Sequence, residues 1–354
     1  MTITIDCRWI DSSGIGVYIR GCLPFFLDSD NLFFLIGDPR KLYPIISGHK
    51  NAQVLECRIK PFSIRELLFF PRNCLLKINS CDLYYSPFFS IPCGIKIPVY
   101  TTIHDMIFPD MPELTSRPGL AARMFFFHRC YRRSTKIFTV SAFSKSRIEH
   151  HLGREKPIVV THSAIQSWIP QHGTGETQKK DIIVFVGNIK KHKGLDCLLE
   201  AFMLARAEGL PHKLVIIGSR DNFRTSDNNF LGKVDSQDSD VVAFTGFISD
   251  EELAEYLASA SLLVQPSLYE GFGLPPLEAM ALGTQALISD IPVFKEIYKG
   301  FPVTFFRAGD SHDLKNKMME ILFNKKPVSS VLPHELLTRY TFEKTADRIL
   351  EEFK

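Results

Sequence analysis

Apolar residues along this chain fall into short runs separated by stretches of helical spacing, the pattern expected of parallel α/β sheets. In the first half the β-rich runs are Thr2–Ile5, Leu32–Ile36, Leu83–Tyr85, Val99–Ile103, Ile137–Val140 and Ile158–Val160. Helical patterns lie between several of them, at Ile15–Phe26, Ser63–Lys77, Pro118–Arg133 and Ala142–His151. A polar stretch over 171–180 has the composition of a linker. The alternation then restarts, with strands at Ile182–Val186, Lys213–Ile217, Val241–Phe244, Leu262–Val264 and Gln285–Ile288. Helices are predicted at Gly194–Ala207, Asp250–Ala258, from near Leu277, and at Val293–Tyr298. Each half opens with a strand feeding a loop and a helix, so the predicted class is α/β with two doubly wound, Rossmann-like domains. The pattern bounds the first domain at 1–165, the linker at 166–180 and the second domain at 181–332. The remainder, 333–354, carries an amphipathic helix at Thr341–Phe353 that nothing ties to the second domain, so it is free to pack back on the first.

A length of 354 residues supports two such cores, and 45% hydrophobic with 23% charged residues suits a soluble globular protein. There is no apolar run of eighteen residues, and Met1–Asp6 reads as a strand rather than a cleavable leader. The expectation is a cytoplasmic protein that touches a membrane peripherally, if at all. Eight cysteines without a C-x-x-C or His-containing metal spacing read as reduced, mostly buried thiols. The net charge of +3 hides an asymmetry: residues 1–165 carry 21 Lys and Arg against 13 Asp and Glu, a balance of +8, and the rest carries −5. Two domains with different partners are implied.

The densest candidate chemistry is Glu270-Gly-Phe-Gly-Leu-Pro-Pro-Leu-Glu278, which follows the apolar strand at 262–264 and runs into a helix. It puts one carboxylate on a loop at a strand's C-terminal end, where open α/β sheets bind ligands, and the other on the next helix. Taken alone, such a pair is more often a solvated helix face. Asp11-Ser-Ser-Gly14-Ile-Gly16 opens the first helix, where glycine permits close backbone approach to a phosphate or sugar hydroxyl. It lacks the third glycine of the dinucleotide fingerprint, and a plain turn is the blander meaning. Gly187-Asn188-Ile-Lys190-Lys191-His192-Lys193 is the equivalent loop of the second half, a possible diphosphate clamp with Lys193 nearest the helix start. His104-Asp105 ends a strand, where it either orients a hydroxyl or is satisfied in the core. Basic residues beside aromatics at Arg65–Lys77 and Arg123–Arg133 suit either ordinary amphipathic packing or contact with anionic lipid. They carry no nucleic-acid motif. Asp28-Ser-Asp30 and Asp238-Ser-Asp240 sit in turn-rich segments and read as surface loops, and neither a P-loop nor a G-x-S-x-G elbow occurs.

In their order these pieces resemble the family-4 retaining glycosyltransferases of GT-B fold, two domains facing across a cleft. The second half carries most of the likeness: Phe185-Val-Gly-Asn188 with Lys193, Leu214–Gly218, Val242–Gly246, Pro266–Met280 and Glu296. The first half adds Gly14-Ile-Gly16, Ile103-His-Asp105 and Thr139–Ser144, which are similar to the O-antigen mannosyl- and rhamnosyltransferase branch. The resemblance implies that Glu270 contacts hydroxyls of the donor sugar, Glu278 holds the nucleotide ribose and Lys193 neutralises the donor diphosphate. It further implies that the backbone of Phe272, Gly273 and Leu274 adds sugar and phosphate contacts, that Gly16 approaches the diphosphate, and that His104 lines the cleft. Relatives often carry arginine where this chain has Asn188, so a second cation would be Lys190, Lys191, His192 or none. They also tend to have Asn-Gly where this chain reads Thr161–Ile165.

The implied activity is metal-independent, retaining transfer of a hexose or deoxyhexose, with mannose or rhamnose favoured, from a nucleotide diphosphate sugar. No cofactor is expected. The implied acceptor is a glycan on a lipid carrier in bacterial surface polysaccharide synthesis, with the basic first domain against the inner leaflet. Two rivals from other classes are a nucleotide-sugar epimerase of the same fold and a catalytically silent glycan-binding partner. Base, sugar, linkage and oligomeric state depend on pocket shape that spacing does not encode.

Overall fold

The computed structural model describes residues 1–166, 169, 178–218, 240–323 and 332–353. The chain divides into two compact units, residues 1–166 together with 340–354, and residues 167–339. Most of the predicted linker, 166–180, lies outside the described residues, as does Asp238. Among the described residues no helix is long and apolar enough to cross a membrane.

The first unit is a parallel sheet of β1 (Thr2–Asp6), β2 (Leu32–Gly37), β3 (Ala52–Glu56), β4 (Leu83–Ser86), β5 (Val99–Thr102), β6 (Lys136–Thr139) and β7 (Ile158–Val160). Its order is β3-β2-β1-β4-β5-β6-β7, so the winding direction reverses between β1 and β4. The second unit contains β8 (Lys180–Val186), β9 (Lys213–Ile217), β10 (Val242–Gly246), β11 (Ala260–Gln265), β12 (Ala286–Ser289) and β13 (Thr304–Phe306), in the order β10-β9-β8-β11-β12-β13. Its reversal falls between β8 and β11, which pair in parallel. The central strands are buried on both faces, as in Leu262–Val264 and Ile183–Phe185, which accounts for their unbroken apolar runs.

Several elements differ from the sequence expectation. Ser63–Lys77 is two helices, Ile64–Leu68 and Arg72–Ile78. Pro71 caps the second, and a proline pushes the residue before it out of helical geometry. The edge strand β3, the short strand β13 and the helices Pro39–Ile46 and Ser311–Phe323 were not predicted. Asp28 is the C-cap of the helix Ser13–Leu27, with its neighbour Ser29 bonded back to Phe26, a turn as expected. Of the cysteines, six are buried, Cys197 is half-buried and Cys93 is exposed, all as free thiols.

The terminal helix Phe342–Glu352 belongs to the first unit, where it packs on the helix Ser13–Leu27. Gly21 makes this possible, since a Cβ there would lie 2.3 Å from the Phe342 ring. Phe353 then meets the rings of Tyr85, Tyr100 and Phe138 at 5.5, 5.0 and 6.0 Å, and Glu352 pairs with Lys136 at 2.6 Å. We expect Gly21→Val to destabilise this packing by about 1–3 kcal/mol. Hydrogen exchange should show lost protection across 342–352, and unchanged protection would mean that the helix docks without the Gly21 contact.

Candidate active site at the reversal of the second sheet

Two loops leave adjacent strand ends here, one after β8 and one after β11. The first begins at Gly187, whose N–H donates to Ile217 O (2.9 Å), and turns through the single 3-10 turn Lys191–Lys193. It ends at Gly194, with φ of +68° and an ideal Cβ position 2.0 Å from Pro266 O. Only glycine allows both that backbone conformation and that approach. The N–H of Leu268 donates to His192 O (2.7 Å), joining the two loops a second time.

The joined loops bring Lys193 to Glu270. The ammonium donates to Glu270 Oε1 at 2.6 Å, with the two side chains 18% and 12% exposed. The same carboxylate oxygen accepts from Ser267 Oγ (2.8 Å), which in turn accepts from Gln265 Nε2 (3.1 Å). Gln265 and Ser267 are fully buried, and Gln265 Oε1 has no partner among the described residues. Ser289 Oγ donates to Ser267 O, so β12 also anchors the loop. Glu270 is therefore held by a short polar chain rising from the end of β11. Neither Ser267 nor Gln265 was given a site role from the sequence, although Ser267 breaks the strand three residues before Glu270.

Glu278 sits in the first turn of the helix Pro275–Ala281 and is 5% exposed, so it is not a solvated helix residue. Phe272 is buried, and Gly273 (φ +86°) abuts Phe294, whose ring a Cβ would meet at 2.4 Å. Tyr298 Oη donates to Gly273 O and pins the loop from the next helix. Pro275 and Pro276 lack N–H groups, so any backbone donor at this helix start must come from Gly273, Leu274 and the residues before them. Asn188 is half-buried in the β8 loop. His192 is not the second cation: its ring is buried, and burial beside Lys193 and Lys190 pushes its pKa down to about 2. Of the alternatives, that leaves Lys190, the exposed Lys191 or none.

The other candidates lie in the first unit, Gly14 and Gly16 after β1 at its reversal and His104 after β5, one strand further along. Gly16 N donates to Ser12 O (2.6 Å), and a Cβ on Gly16 would lie 2.3 Å from Ile10 O. Close packing of the β1 loop is thus enough to require glycine at 16, whereas a Cβ on Gly14 would meet nothing within 4 Å. His104 follows β5, lies edge-on to Tyr18 at 5.0 Å, and holds Pro87 O at 2.9 Å through Nε2. Burial pushes its pKa down to about 4, so near neutral pH Nε2–H donates and Nδ1 is an acceptor.

These histidines make folding pH-dependent. Their folded pKa values lie below the ordinary 6.5, so the unfolded chain binds more protons once the pH falls below about 6.5. Stability is complete above that point and falls on acidification, down to about pH 4 for His104 and further for His192. The limiting slope is about 1.4 kcal/mol per pH unit for each histidine. Between about pH 6.5 and pH 5, urea unfolding of His192→Gln should show a shallower acid loss than the parent, and identical slopes would contradict the assignment.

Known proteins resemble this chain in sequence and in fold. Residues 168–331 match the family described as Glycosyl transferases group 1. O-antigen chain mannosyltransferase B of Escherichia coli is 28% identical over 228 residues, covering 61% of this chain and 58% of that protein. O-antigen chain mannosyltransferase RfbU of Salmonella typhimurium is 30% identical over 175 residues, 49% of this chain and 47% of that one. The chain thus matches about half the length of these curated relatives. Among solved structures, HepE of Anabaena in complex with UDP and glucose superposes with a TM-score of 0.69 at 16% identity, covering 99% of both chains, a likeness of fold. Two parallel sheets in this order and the superposition over nearly the whole chain give this chain the GT-B fold, and within it residues 168–331 match the group 1 glycosyltransferases.

Proposed function

We propose that the protein is a metal-independent, retaining glycosyltransferase that moves a hexose or deoxyhexose from a nucleotide diphosphate sugar to a lipid-linked glycan acceptor. The observation that carries the proposal is the Lys193–Glu270 pair at the β8/β11 reversal. In the free protein the two charges neutralise each other. An incoming diphosphate takes Lys193 as its counter-ion, and the released Glu270 accepts from hydroxyls of the sugar. Lys193 then stabilises the charge that builds on the departing diphosphate, the task a metal performs elsewhere. Glu278 is assigned to the ribose hydroxyls, and the backbone of Phe272, Gly273 and Leu274 to the sugar and phosphates. Asn188, on the β8 loop, is assigned to donor binding with them. His104 and the Gly14–Gly16 segment are assigned to the first unit's share of substrate binding.

Retention means attack on the face from which the diphosphate leaves, with the leaving phosphate oxygen taking the acceptor's proton. Names of the relatives support mannose as the sugar and bacterial O-antigen as the product class, and the UDP-bound neighbour supports a nucleotide sugar as donor. The same reading sets the reaction on the cytoplasmic side of the plasma membrane, where a lipid-linked acceptor would be met.

A thermal-shift panel of UDP-, GDP- and dTDP-sugars identifies the donor, because a ligand at a hundred times its Kd adds about 2.7 kcal/mol of apparent stability. With that donor, Glu270→Gln and Lys193→Ala should each lower turnover on the order of 10²–10³-fold while the protein remains folded. Undiminished turnover in either would remove that residue from the mechanism. Proton NMR of the first-formed product should show retained anomeric configuration, and an inverted product rejects the same-face attack.

A further inference from the structure

The helix Ile64–Leu68 of the first unit is oriented opposite to an ordinary surface helix, which buries its apolar stripe and presents its charges. Its one carboxylate, Glu66, is fully buried, while Ile64, Leu68 and the adjoining Phe69 are 71, 68 and 69% exposed. The orientation is fixed from inside. Glu66 pairs with Arg8 (2.5 Å), which also pairs with Asp6, and it accepts from the N–H of Phe62 (2.9 Å) and the hydroxyl of Ser90. Phe62 holds a φ of +56°, rare for a bulky side chain, just before the capping Ser63. Breaking that buried ionic cluster to turn the helix over would strand charges in the core.

Outside, Ile64 and Leu68 are one turn apart on one line, with Arg65 and Phe69 on the next. The following helix, Arg72–Ile78, buries Cys74 and Ile78 and leaves Leu76 65% exposed, one turn beyond the exposed Arg72. Across residues 57–80 the sole acidic residue is the buried Glu66, whereas Arg58, Lys60, Arg65 and Arg72 are exposed, Arg58 beside Glu56. Apolar side chains among cations, with no exposed acid in the segment, complement an anionic lipid surface: the apolar groups enter the acyl boundary and the cations meet phosphates.

We propose that the face formed by Ile64, Arg65, Leu68, Phe69, Arg72 and Leu76 docks the protein on an anionic phospholipid bilayer. The proposal deepens, and rests on, the reading that the acceptor is lipid-linked. Flotation of the intact protein with phosphatidylcholine vesicles, with and without phosphatidylglycerol, tests it. The parent should float only with the anionic vesicles, and less as salt rises. Leu68→Glu/Phe69→Glu should abolish flotation with an unchanged thermal midpoint, and Arg65→Gln/Arg72→Gln should weaken it about fivefold for each cation removed. The proposal fails if the parent does not float, or if both double variants float like the parent. It also fails if sedimentation shows a parent dimer that Leu68→Glu/Phe69→Glu splits, since the face then receives a second copy. Donor thermal shifts on the same samples report separately on glycosyl transfer, so a protein that floats but takes no nucleotide sugar keeps the docking face and loses the transferase assignment.

Discussion

The second unit depends on the approach of Gly194 to the carbonyl of Pro266, closer than any side chain would allow. β8 and β11 are neighbours in the sheet although their connections wind in opposite directions, so their outgoing loops diverge unless something holds them together. The glycine contact and the bond from Leu268 to the carbonyl of His192 hold them. Lys193, the residue before Gly194, then faces Glu270, four residues after Pro266. A β-carbon at 194 would push the loops apart and separate that pair. The buried His192 is part of the same joint, and its neutrality follows from burial of a ring flanked by Lys193 and Lys190.

The first unit reaches a comparable outcome by other means. Gly16 lets the opening helix seat against Ile10, and Gly21 lets the same helix receive Phe342. Beside that glycine-mediated packing stands a buried ionic cluster in which Arg8 bridges Asp6 and Glu66, while Tyr84 donates to Asp6 at 2.7 Å. Such a cluster contributes little net stability compared with an apolar core, but it is costly to rearrange. Its effect is directional: it decides which side of the helix Ile64–Leu68 meets solvent.

Much of the secondary structure was legible because buried parallel strands leave unbroken apolar runs, as at Ile182–Val186 and Lys213–Ile217. What was missed had weak local signals. β3, Ala52–Glu56, is an edge strand with a mixed polar sequence, and β13 spans three residues, too few for any period. The break at Pro71 was hidden by the apolar run Leu67–Phe70, which reads as a continuing helix although the proline signals a stop. In the candidate site, Glu270 and Lys193 stood out as charges on loops at strand ends, and Glu278 as the acid on the helix that follows. Ser267 and Gln265 did not, because a serine or glutamine has no informative spacing until its partners are known.

By itself the sequence determined the alternation of strands and helices, the two-fold restart of that alternation, the charge difference between the halves, and the loop that carries both glutamates. Local spacing settles these, since a period of two or 3.6 residues acts only along one element. The tertiary structure alone decided that Lys193 meets Glu270 across 77 positions, that His192 is neutral, that the last helix belongs to the first unit, and that Glu66 points inward. Each of those depends on strand order and on contacts between segments distant in the chain, which no local period encodes.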